Sequence, residues 1–255
     1  MLEASGLTKT FDGLTAVEGA SLHVERGTIV GLIGPNGAGK TTLFALLSGF
    51  LGPDAGRVVF LGRDVTGLPP HLICRLGMAR TFQIVQPFGA QTVRENVAVG
   101  AHLRHRGRAE ALAHAERIAH AVGLGAELDK LAVNLTIAGR KRLELARALA
   151  TGPALLLLDE VLAGLNPQEI TEVIPVLRGI AAGRDGTPGV TVLMIEHVMQ
   201  AVMNLADRVY VLANGRMIAE GAPAEVTSDP AVIEAYLGHG AAERLRRAYG
   251  AAHAA

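Results

Sequence analysis

The chain has 255 residues, of which 49% are hydrophobic, 19% charged and 4% aromatic, and its 24 basic side chains are balanced by 24 acidic ones. A chain of this length suits one large domain, or one domain with a subdomain, and it is too apolar to be intrinsically disordered. The zero net charge disfavours a protein that holds nucleic acid through bulk charge. The sequence has no 18-residue apolar run for a membrane span, and its single cysteine, Cys74, excludes an internal disulfide and suits a reducing cytoplasm.

Short apolar segments alternate with helical patterns along the chain, which predicts an α/β fold with a largely parallel sheet. The segment Thr28–Ile33 is a continuous apolar run followed by a glycine, as expected for a buried central strand. A glycine-rich turn comes next, and a helix is predicted from Lys40 to about Gly49. The other predicted strands are Leu2–Ala4, Ala20–Val24, Arg57–Leu61, Ala154–Leu158, Val190–Ile195 and Arg208–Leu212.

The middle of the chain, from about Thr92 to Leu149, has a different character. Alanine is abundant there and apolar residues recur at helical spacing, as in Ala109–Val122 and Arg140–Ala150, so a helical insert is predicted. Further along, Asn214-Gly215 separates two strand-like segments and predicts a two-residue hairpin turn.

A glycine-rich loop stands between the predicted central strand and the helix that follows it, and it fits the pattern G-x-x-x-x-G-K-[ST]. Glycines let backbone N–H groups turn inward around an anion, and the helix N-terminus adds its positive end. Lys40 is predicted to reach the β- and γ-phosphates of a nucleotide, Thr41 to bind Mg²⁺, and Thr42 to contact the α-phosphate region. The alternative is a glycine-rich turn with an incidental lysine. The loop comprises Gly34, Pro35, Asn36, Gly37, Ala38, Gly39, Lys40 and Thr41.

Two carboxylates follow the predicted strand of four leucines, Leu155–Leu158. The carboxyl end of a strand in a parallel sheet faces the ligand crevice. Asp159 is therefore expected to hold Mg²⁺ through its water shell, and Glu160 to orient and polarise the attacking water. An ordinary acidic strand end is the alternative, and the upstream phosphate loop disfavours it.

With these two motifs in place, the chain from Leu7 to about Gly238 resembles the ATP-binding subunits of ABC transporters. Residues 80–83 (RTFQ) are similar to the glutamine loop, which joins the ATPase core of that family to its helical subdomain. The resemblance implies that Gln83 contacts Mg²⁺ and water near the γ-phosphate and relays the nucleotide state to a membrane subunit.

Residues 135–139 (LTIAG) occupy the position of the ABC signature, whose usual form is Leu-Ser-Gly-Gly-Gln. Thr136 keeps the hydroxyl of the family's serine, whereas Ile137 and Ala138 replace glycines and Gly139 replaces glutamine. The helix that follows matches the family and sets the register. By resemblance, Thr136 and Ala138 contact the γ-phosphate of an ATP bound to a second subunit.

Two further site residues are implied by the same resemblance. His197 ends a predicted buried strand and is similar to the switch histidine, which hydrogen-bonds the γ-phosphate. Phe11 stands where the family places an aromatic residue against adenine, and a packed core phenylalanine is the alternative. Ala163–Asn166 resembles the loop that crosses the dimer interface, with asparagine where aspartate is commoner.

The resemblance implies the fold and its division into parts. The expected fold class is α/β, a P-loop NTPase (RecA-like) core with a mainly parallel sheet, an antiparallel β subdomain and a helical subdomain insertion. The expected boundaries are residues 1–87 and 153–238 for the nucleotide-binding core, 88–152 for the helical signature subdomain and 239–255 for a C-terminal tail.

Partners are implied as well. The expected assembly has a second ABC ATPase, either a homologous chain or a second copy, and transmembrane permease subunits on the cytoplasmic face of the inner membrane. A groove for a permease helix is expected near Gln83 to Gly89, and a solute-binding protein acts indirectly. No nucleic acid is expected.

Finer features resemble the branched-chain amino acid importers, although an importer of urea or short-chain amides stays open. The segments that carry this resemblance are Leu47–Phe50, Arg80–Gln83, Thr92–Val97, Ala163–Pro167 and Glu234–Gly238. A soluble ABC-type ATPase that acts on nucleic acid or ribosomes is less favoured, because such chains carry two cassettes, long insertions or basic arms. A P-loop kinase or GTPase is disfavoured since the sequence shows neither a lid nor a guanine-specific motif.

Overall fold

A computed structural model describes residues 1–183 and 189–237 of the protein. Two β-sheets form its framework. In chain order the strands are β1 Leu2–Phe11, β2 Leu14–Val24, β3 Ile29–Ile33, β4 Ala55–Phe60, β5 Arg63–Asp64, β6 Met78–Arg80, β7 Leu155–Asp159, β8 Thr191–Ile195, β9 Arg208–Ala213 and β10 Arg216–Gly221. One sheet is antiparallel with the order β2-β1-β4-β5. The other has the order β10-β9-β3-β8-β7-β6 and is parallel except for the β9–β10 pair. The predicted tail, residues 239–255, lies outside the described residues.

Helices connect and cover the strands. They are α1 Lys40–Leu47, α2 Pro70–Leu76, α3 Val93–Ala101, α4 Arg108–Ala121, α5 Ile137–Leu149, α6 Pro167–Ala182, α7 Met199–Leu205, α8 Pro223–Ser228 and α9 Pro230–Leu237. Three of them, α3 to α5, follow one another between β6 and β7, which confirms the predicted helical insert. None of the helices in the described ranges combines the length and the apolar character needed to cross a membrane.

The strands β3, β7 and β8 of the six-stranded sheet are buried on both faces, and this explains why they are continuous apolar runs. Side chains alternate between faces along a strand. In β7, Leu155 and Leu157 pack with α1 and the antiparallel sheet, whereas Leu156 and Leu158 pack with the helices on the opposite face. The phosphate-loop helix α1 is thus held between the two sheets, with Phe44 fully buried.

The helical insert packs through small residues. Ala111, Ala115 and Ala119 of α4 are all fully buried and lie four residues apart, so they form one face of the helix. Their small side chains let α4 approach its neighbours closely, and this accounts for the abundance of alanine in the segment.

The hairpin at Asn214-Gly215 is confirmed, and it joins β9 to β10 with positive φ angles of 48° and 78° at its two central residues. A second hairpin, without a predicted counterpart in the sequence, turns at Asp12-Gly13 between β1 and β2. These two strands are longer than the predicted Leu2–Ala4 and Ala20–Val24. Their outer parts are exposed and irregular in register, so they lack the apolar pattern from which a strand is predicted.

Candidate functional site

The phosphate loop lies at the carboxyl end of β3, between that strand and α1. Two of its glycines are required by close approaches of the backbone. A Cβ atom on Gly34 would lie 1.9 Å from the carbonyl oxygen of Leu212, and one on Gly39 would lie 2.3 Å from that of Ala16. Both glycines also have positive φ angles, of 151° and 101°. Neighbouring backbone therefore allows only glycine at these two positions of the motif.

Lys40, the first residue of α1, is held inside this loop. Its ammonium group donates hydrogen bonds to the carbonyl oxygens of Gly34 at 2.7 Å and Pro35 at 2.9 Å. An ammonium group has three donors, so one is left for a ligand. Burial lowers the pKa of Lys40, and the nearby carboxylates of Glu160 and Asp159 oppose this shift. Thr41 beside it is exposed and Thr42 is half-buried.

Asp159 ends β7 and is 2% exposed. Its backbone N–H donates to the Thr81 hydroxyl at 3.0 Å, and its Oδ2 accepts a hydrogen bond from Arg80 Nη2 at 2.7 Å. The other carboxylate oxygen, Oδ1, is buried without a hydrogen-bond partner. A buried carboxylate oxygen rarely stays unpaired, and carboxylates and hydroxyls are the oxygen ligands that Mg²⁺ takes. Asp159 together with Thr41 therefore fits the predicted magnesium site.

Glu160 is the centre of a hydrogen-bonded chain of side chains. Gln83 Nε2 donates to its Oε2 at 2.7 Å, and His197 Nε2 donates to its Oε1 at 2.6 Å. The structure thus brings the three predicted catalytic residues together across sequence separations of 77 and 37 residues. Glu160 has a φ of 50°, a conformation that L-residues rarely adopt and that is common at functional sites.

Lys141 of α5 connects the helical insert to the hydrogen-bonded residues Gln83 and Glu160. Its ammonium group donates to the backbone carbonyl oxygens of Glu160 at 3.1 Å and Gln83 at 3.3 Å. Another residue of the same helix, Glu144, accepts a hydrogen bond from the Phe82 N–H. Burial raises the pKa of Glu144 above its ordinary value. Helix α5 therefore holds the backbone of the two loops that carry Gln83 and Glu160.

Glu196 lies between β8 and His197 and is 1% exposed. Its Oε1 accepts a hydrogen bond from the Leu162 N–H at 3.0 Å, and the His197 N–H also donates to the carboxylate. Burial raises its pKa to about 7. The side chain therefore ties the loop after β7 to the loop after β8.

The predicted signature lies at the start of α5, where Thr136 is the N-cap residue and accepts a hydrogen bond from the Gly139 N–H at 3.1 Å. Ala138 is buried. Thr136 and Ala138 line a cleft of about 350 Å³ with Asn166, which is the N-cap residue of α6. No residue of the phosphate loop lines this cleft.

Phe11 ends β1, and its side chain is 41% exposed. The ammonium group of Lys9 lies 5.7 Å from the ring centre. The alternative of a packed core phenylalanine is therefore wrong, and the contact with adenine stays a prediction.

Four residues that hold the site together were not singled out in the sequence, namely Arg80, Lys141, Glu144 and Glu196. Their partners are distant in sequence, so no local pattern marks the pairs. Glu196 did carry one signal, since it is a charged residue next to the end of a predicted apolar strand.

The ends of three neighbouring parallel strands thus meet at one edge of the sheet. The phosphate loop follows β3, Asp159 ends β7 with Glu160 directly after it, and His197 follows β8, which lies between those two strands. A glycine loop, a buried lysine and an acidic strand end in this arrangement define the class of P-loop nucleoside triphosphatases.

Comparison with known proteins makes the class more specific. The family model described as "ABC transporter" matches residues 17–163, and that of the branched-chain amino acid ATP-binding cassette transporter matches residues 216–242. The chain belongs to the family of ABC transporter ATP-binding proteins, and it is an ATPase of that class.

The similar proteins include relatives of known description and solved structures. The high-affinity branched-chain amino acid transport ATP-binding protein BraF of Pseudomonas aeruginosa is 41% identical over 93% of this chain and 98% of its own length. LivG of Escherichia coli, with the same description, is 39% identical over the same shares. The ATP-binding cassette MJ1267 in its ADP conformation superposes with a TM-score of 0.83 at 33% identity, over 94% of this chain and 99% of that one.

Proposed function

We propose that this chain is the ATP-hydrolysing subunit of an importer for branched-chain amino acids. The observation that carries the catalytic part is the Gln83–Glu160–His197 chain beside the phosphate loop. The solute is supported by relatives at about 40% identity that are described as branched-chain amino acid transport proteins and are matched over nearly their whole length.

In this proposal the phosphate loop holds ATP. Its backbone N–H groups and the start of α1 face the phosphates, and Lys40 contributes its remaining donor. Thr41, Asp159 and the amide oxygen of Gln83 would hold Mg²⁺, which would supply the charge that neutralises the phosphate oxygens. The exposed ring of Phe11 stacks on adenine.

Glu160 orients the attacking water and accepts its proton. Gln83 and His197 fix the two carboxylate oxygens by one hydrogen bond each, so the carboxylate is held before the substrate arrives. Each oxygen keeps a lone pair for the water. His197 also contacts the γ-phosphate once ATP is bound.

The working unit contains a second ATPase subunit. The cleft at Thr136 and Ala138 contains no phosphate-loop residue, so this signature serves the ATP held by a partner. The protein is peripheral on the cytoplasmic face of the inner membrane, where its Gln83 to Gly89 segment contacts a permease helix. Within that segment Ile84 is 74% exposed and Phe88 is 45% exposed.

Affinity purification of the tagged chain from its native membrane tests this proposal. We expect permease subunits and a second ATPase to co-purify, and the complex to bind leucine, isoleucine or valine through its solute-binding protein. A complex that takes urea or short amides instead would refute the solute. A chain that purifies without any membrane subunit would refute the transport role.

A further inference from the structure

Arg80, the last residue of β6, links two parts of the proposed nucleotide site. Its Nη2 donates to Asp159 Oδ2 at 2.7 Å, and its Nη1 donates to the Ser48 hydroxyl at 3.2 Å. Ser48 is the C-cap residue of α1, the helix that begins at the phosphate loop. The Arg80 and Asp159 side chains are only 9% and 2% exposed, so this is a buried ion pair.

Three aromatic rings surround the guanidinium group. Its central carbon lies 5.8 Å from the ring centre of Phe44, 5.7 Å from that of Phe50 and 5.6 Å from that of Phe82. Phe50 and Phe82 contact each other edge to face, with centres 5.5 Å apart. Rings at these distances attract a cation through their π faces and restrict its rotamers.

The two oxygens of Asp159 have different surroundings as a result. Arg80 occupies Oδ2, whereas Oδ1 is buried without a partner. A carboxylate that is fixed on one oxygen presents the other in a single direction. Groups that hydrogen-bond a metal-binding carboxylate typically affect metal affinity by about 10- to 100-fold.

We infer that Arg80 is a positioning residue that fixes the carboxylate of Asp159 for Mg²⁺, and that the ring of phenylalanines fixes Arg80 in turn. Lysine cannot replace it fully, because a single ammonium group cannot bond Asp159 and Ser48 in a planar fork while it lies among three rings. This inference rests on the proposed function, since it assigns Asp159 to Mg²⁺.

The test compares ATP binding with and without the metal. Labelled ATP is titrated against the purified chain in EDTA and over a series of Mg²⁺ concentrations, for wild type, Arg80→Met and Arg80→Lys. We expect Arg80→Met to raise the Mg²⁺ concentration for half-maximal ATP binding about tenfold, which corresponds to about 1.4 kcal/mol, and to leave binding in EDTA unchanged. For Arg80→Lys, we expect a half-maximal Mg²⁺ concentration between those of wild type and Arg80→Met.

Arg147→Met is the matched control. Arg147 lies over the Phe88 ring at 4.8 Å and donates a hydrogen bond to the Gln86 carbonyl oxygen. It is therefore another arginine that contacts the segment following β6, the strand that Arg80 ends. In the part of the chain that the structure describes, it has no hydrogen bond to Asp159. We expect this variant to keep the wild-type Mg²⁺ dependence.

A double-mutant cycle with Asp159→Asn shows whether Arg80 acts through Asp159, because coupled residues do not give additive effects. In that background Arg80→Met is expected to change the Mg²⁺ dependence no further. The inference would be overturned if either Arg80 variant folded and kept the wild-type Mg²⁺ dependence. It would also be overturned if the substitution weakened ATP binding in EDTA as much as it does in Mg²⁺. If the wild-type chain itself binds ATP without any effect of Mg²⁺, the proposed site fails instead.

Discussion

At the scale of single residues, the site is defined by carboxylates in unequal surroundings. Asp159 is buried, paired with an arginine and left with one free oxygen, whereas both oxygens of Glu160 accept hydrogen bonds, one from the Gln83 amide and one from the His197 imidazole. The first arrangement suits a metal-binding carboxylate, and the second suits one that takes a proton from water. Neighbours rather than residue type therefore separate the two roles.

Glu160→Gln is expected to separate ATP binding from hydrolysis. Glutamine has nearly the same shape but is a poor base, and a general base contributes about 10²–10⁴-fold in rate. Phosphate release should fall by that factor, while Lys40, Thr41 and Asp159 still hold Mg·ATP. ATP should then accumulate uncleaved and keep the two ATPase subunits together, which size-exclusion chromatography with ATP and Mg²⁺ detects.

Loss of ATP binding together with hydrolysis in Glu160→Gln would assign this carboxylate a structural role. Near-normal phosphate release would remove it from catalysis. Glu110→Gln serves as the control, because that carboxylate is exposed on α4 and belongs neither to the hydrogen-bonded side chains around Glu160 nor to the lining of the cleft at Thr136.

Glu196 makes stability depend on pH. Burial raises its pKa from 4.5 to about 7, so the folded protein binds more protons than the unfolded chain between these values. The contribution to stability is complete below pH 4.5 and is lost as the pH rises through about 7. Glu196→Gln stays neutral, and its oxygen can still accept the Leu162 hydrogen bond. Relative to wild type, the free energy of unfolding of this variant should rise between pH 5 and pH 8 by up to about 3 kcal/mol.

Urea denaturation at a series of pH values measures this difference. The exposed Glu110→Gln is the control, and its stability relative to wild type should change little over the same range. A constant difference between Glu196→Gln and wild type would show that Glu196 is charged in the folded protein throughout.

At the scale of elements, helix α5 connects the predicted signature to the loops that carry Gln83 and Glu160. Its N-cap residue Thr136 lines the cleft, and about one turn further along the helix Lys141 donates hydrogen bonds to the backbone carbonyl oxygens of Gln83 and Glu160. The N-terminus of this helix is therefore connected through Lys141 to the backbone of Gln83 and Glu160. In the proposed assembly, α5 would therefore be the element through which a partner's ATP affects these loops.

Thr136→Arg tests that arrangement. The arginine would fill the cleft, so turnover by the assembled complex should be abolished at the site which this signature completes. ATP binding by the isolated chain should stay within about twofold of wild type, because no phosphate-loop residue lines the cleft. Thr136→Ser, which keeps the capping hydroxyl, is expected to retain turnover. Loss of ATP binding by isolated Thr136→Arg would show that the assignment of the signature is wrong.

At the scale of the whole molecule, the sequence predicted best the parts that are buried on both sides. β3, β7 and β8 are continuous apolar runs because both of their faces are covered. The motifs that follow these strands could therefore be placed at the strand ends from the sequence. The three-residue strand β6 and the short helices α2, α7, α8 and α9 were not singled out, because segments of this length depend on tertiary contacts rather than on periodicity.

In the site, too, some parts follow from local sequence patterns and others depend on tertiary contacts. The phosphate loop and the acidic strand end are local patterns, so the sequence alone indicated their chemistry. The Arg80–Asp159 pair and the hydrogen bonds of Glu160 join residues 37 to 79 positions apart, and such pairs depend on strand order, which no single sequence window contains.

The most direct test of the central claim is ATP-driven uptake of labelled leucine. The complex that co-purifies with the tagged chain is reconstituted into vesicles with its solute-binding protein, in wild-type form and with Lys40→Ala, which removes the charge that faces the phosphates. The account predicts that the wild-type complex accumulates leucine only with Mg·ATP, and that Lys40→Ala abolishes both accumulation and ATP hydrolysis. Hydrolysis by the wild-type complex without leucine uptake, or unchanged uptake by Lys40→Ala, would contradict it.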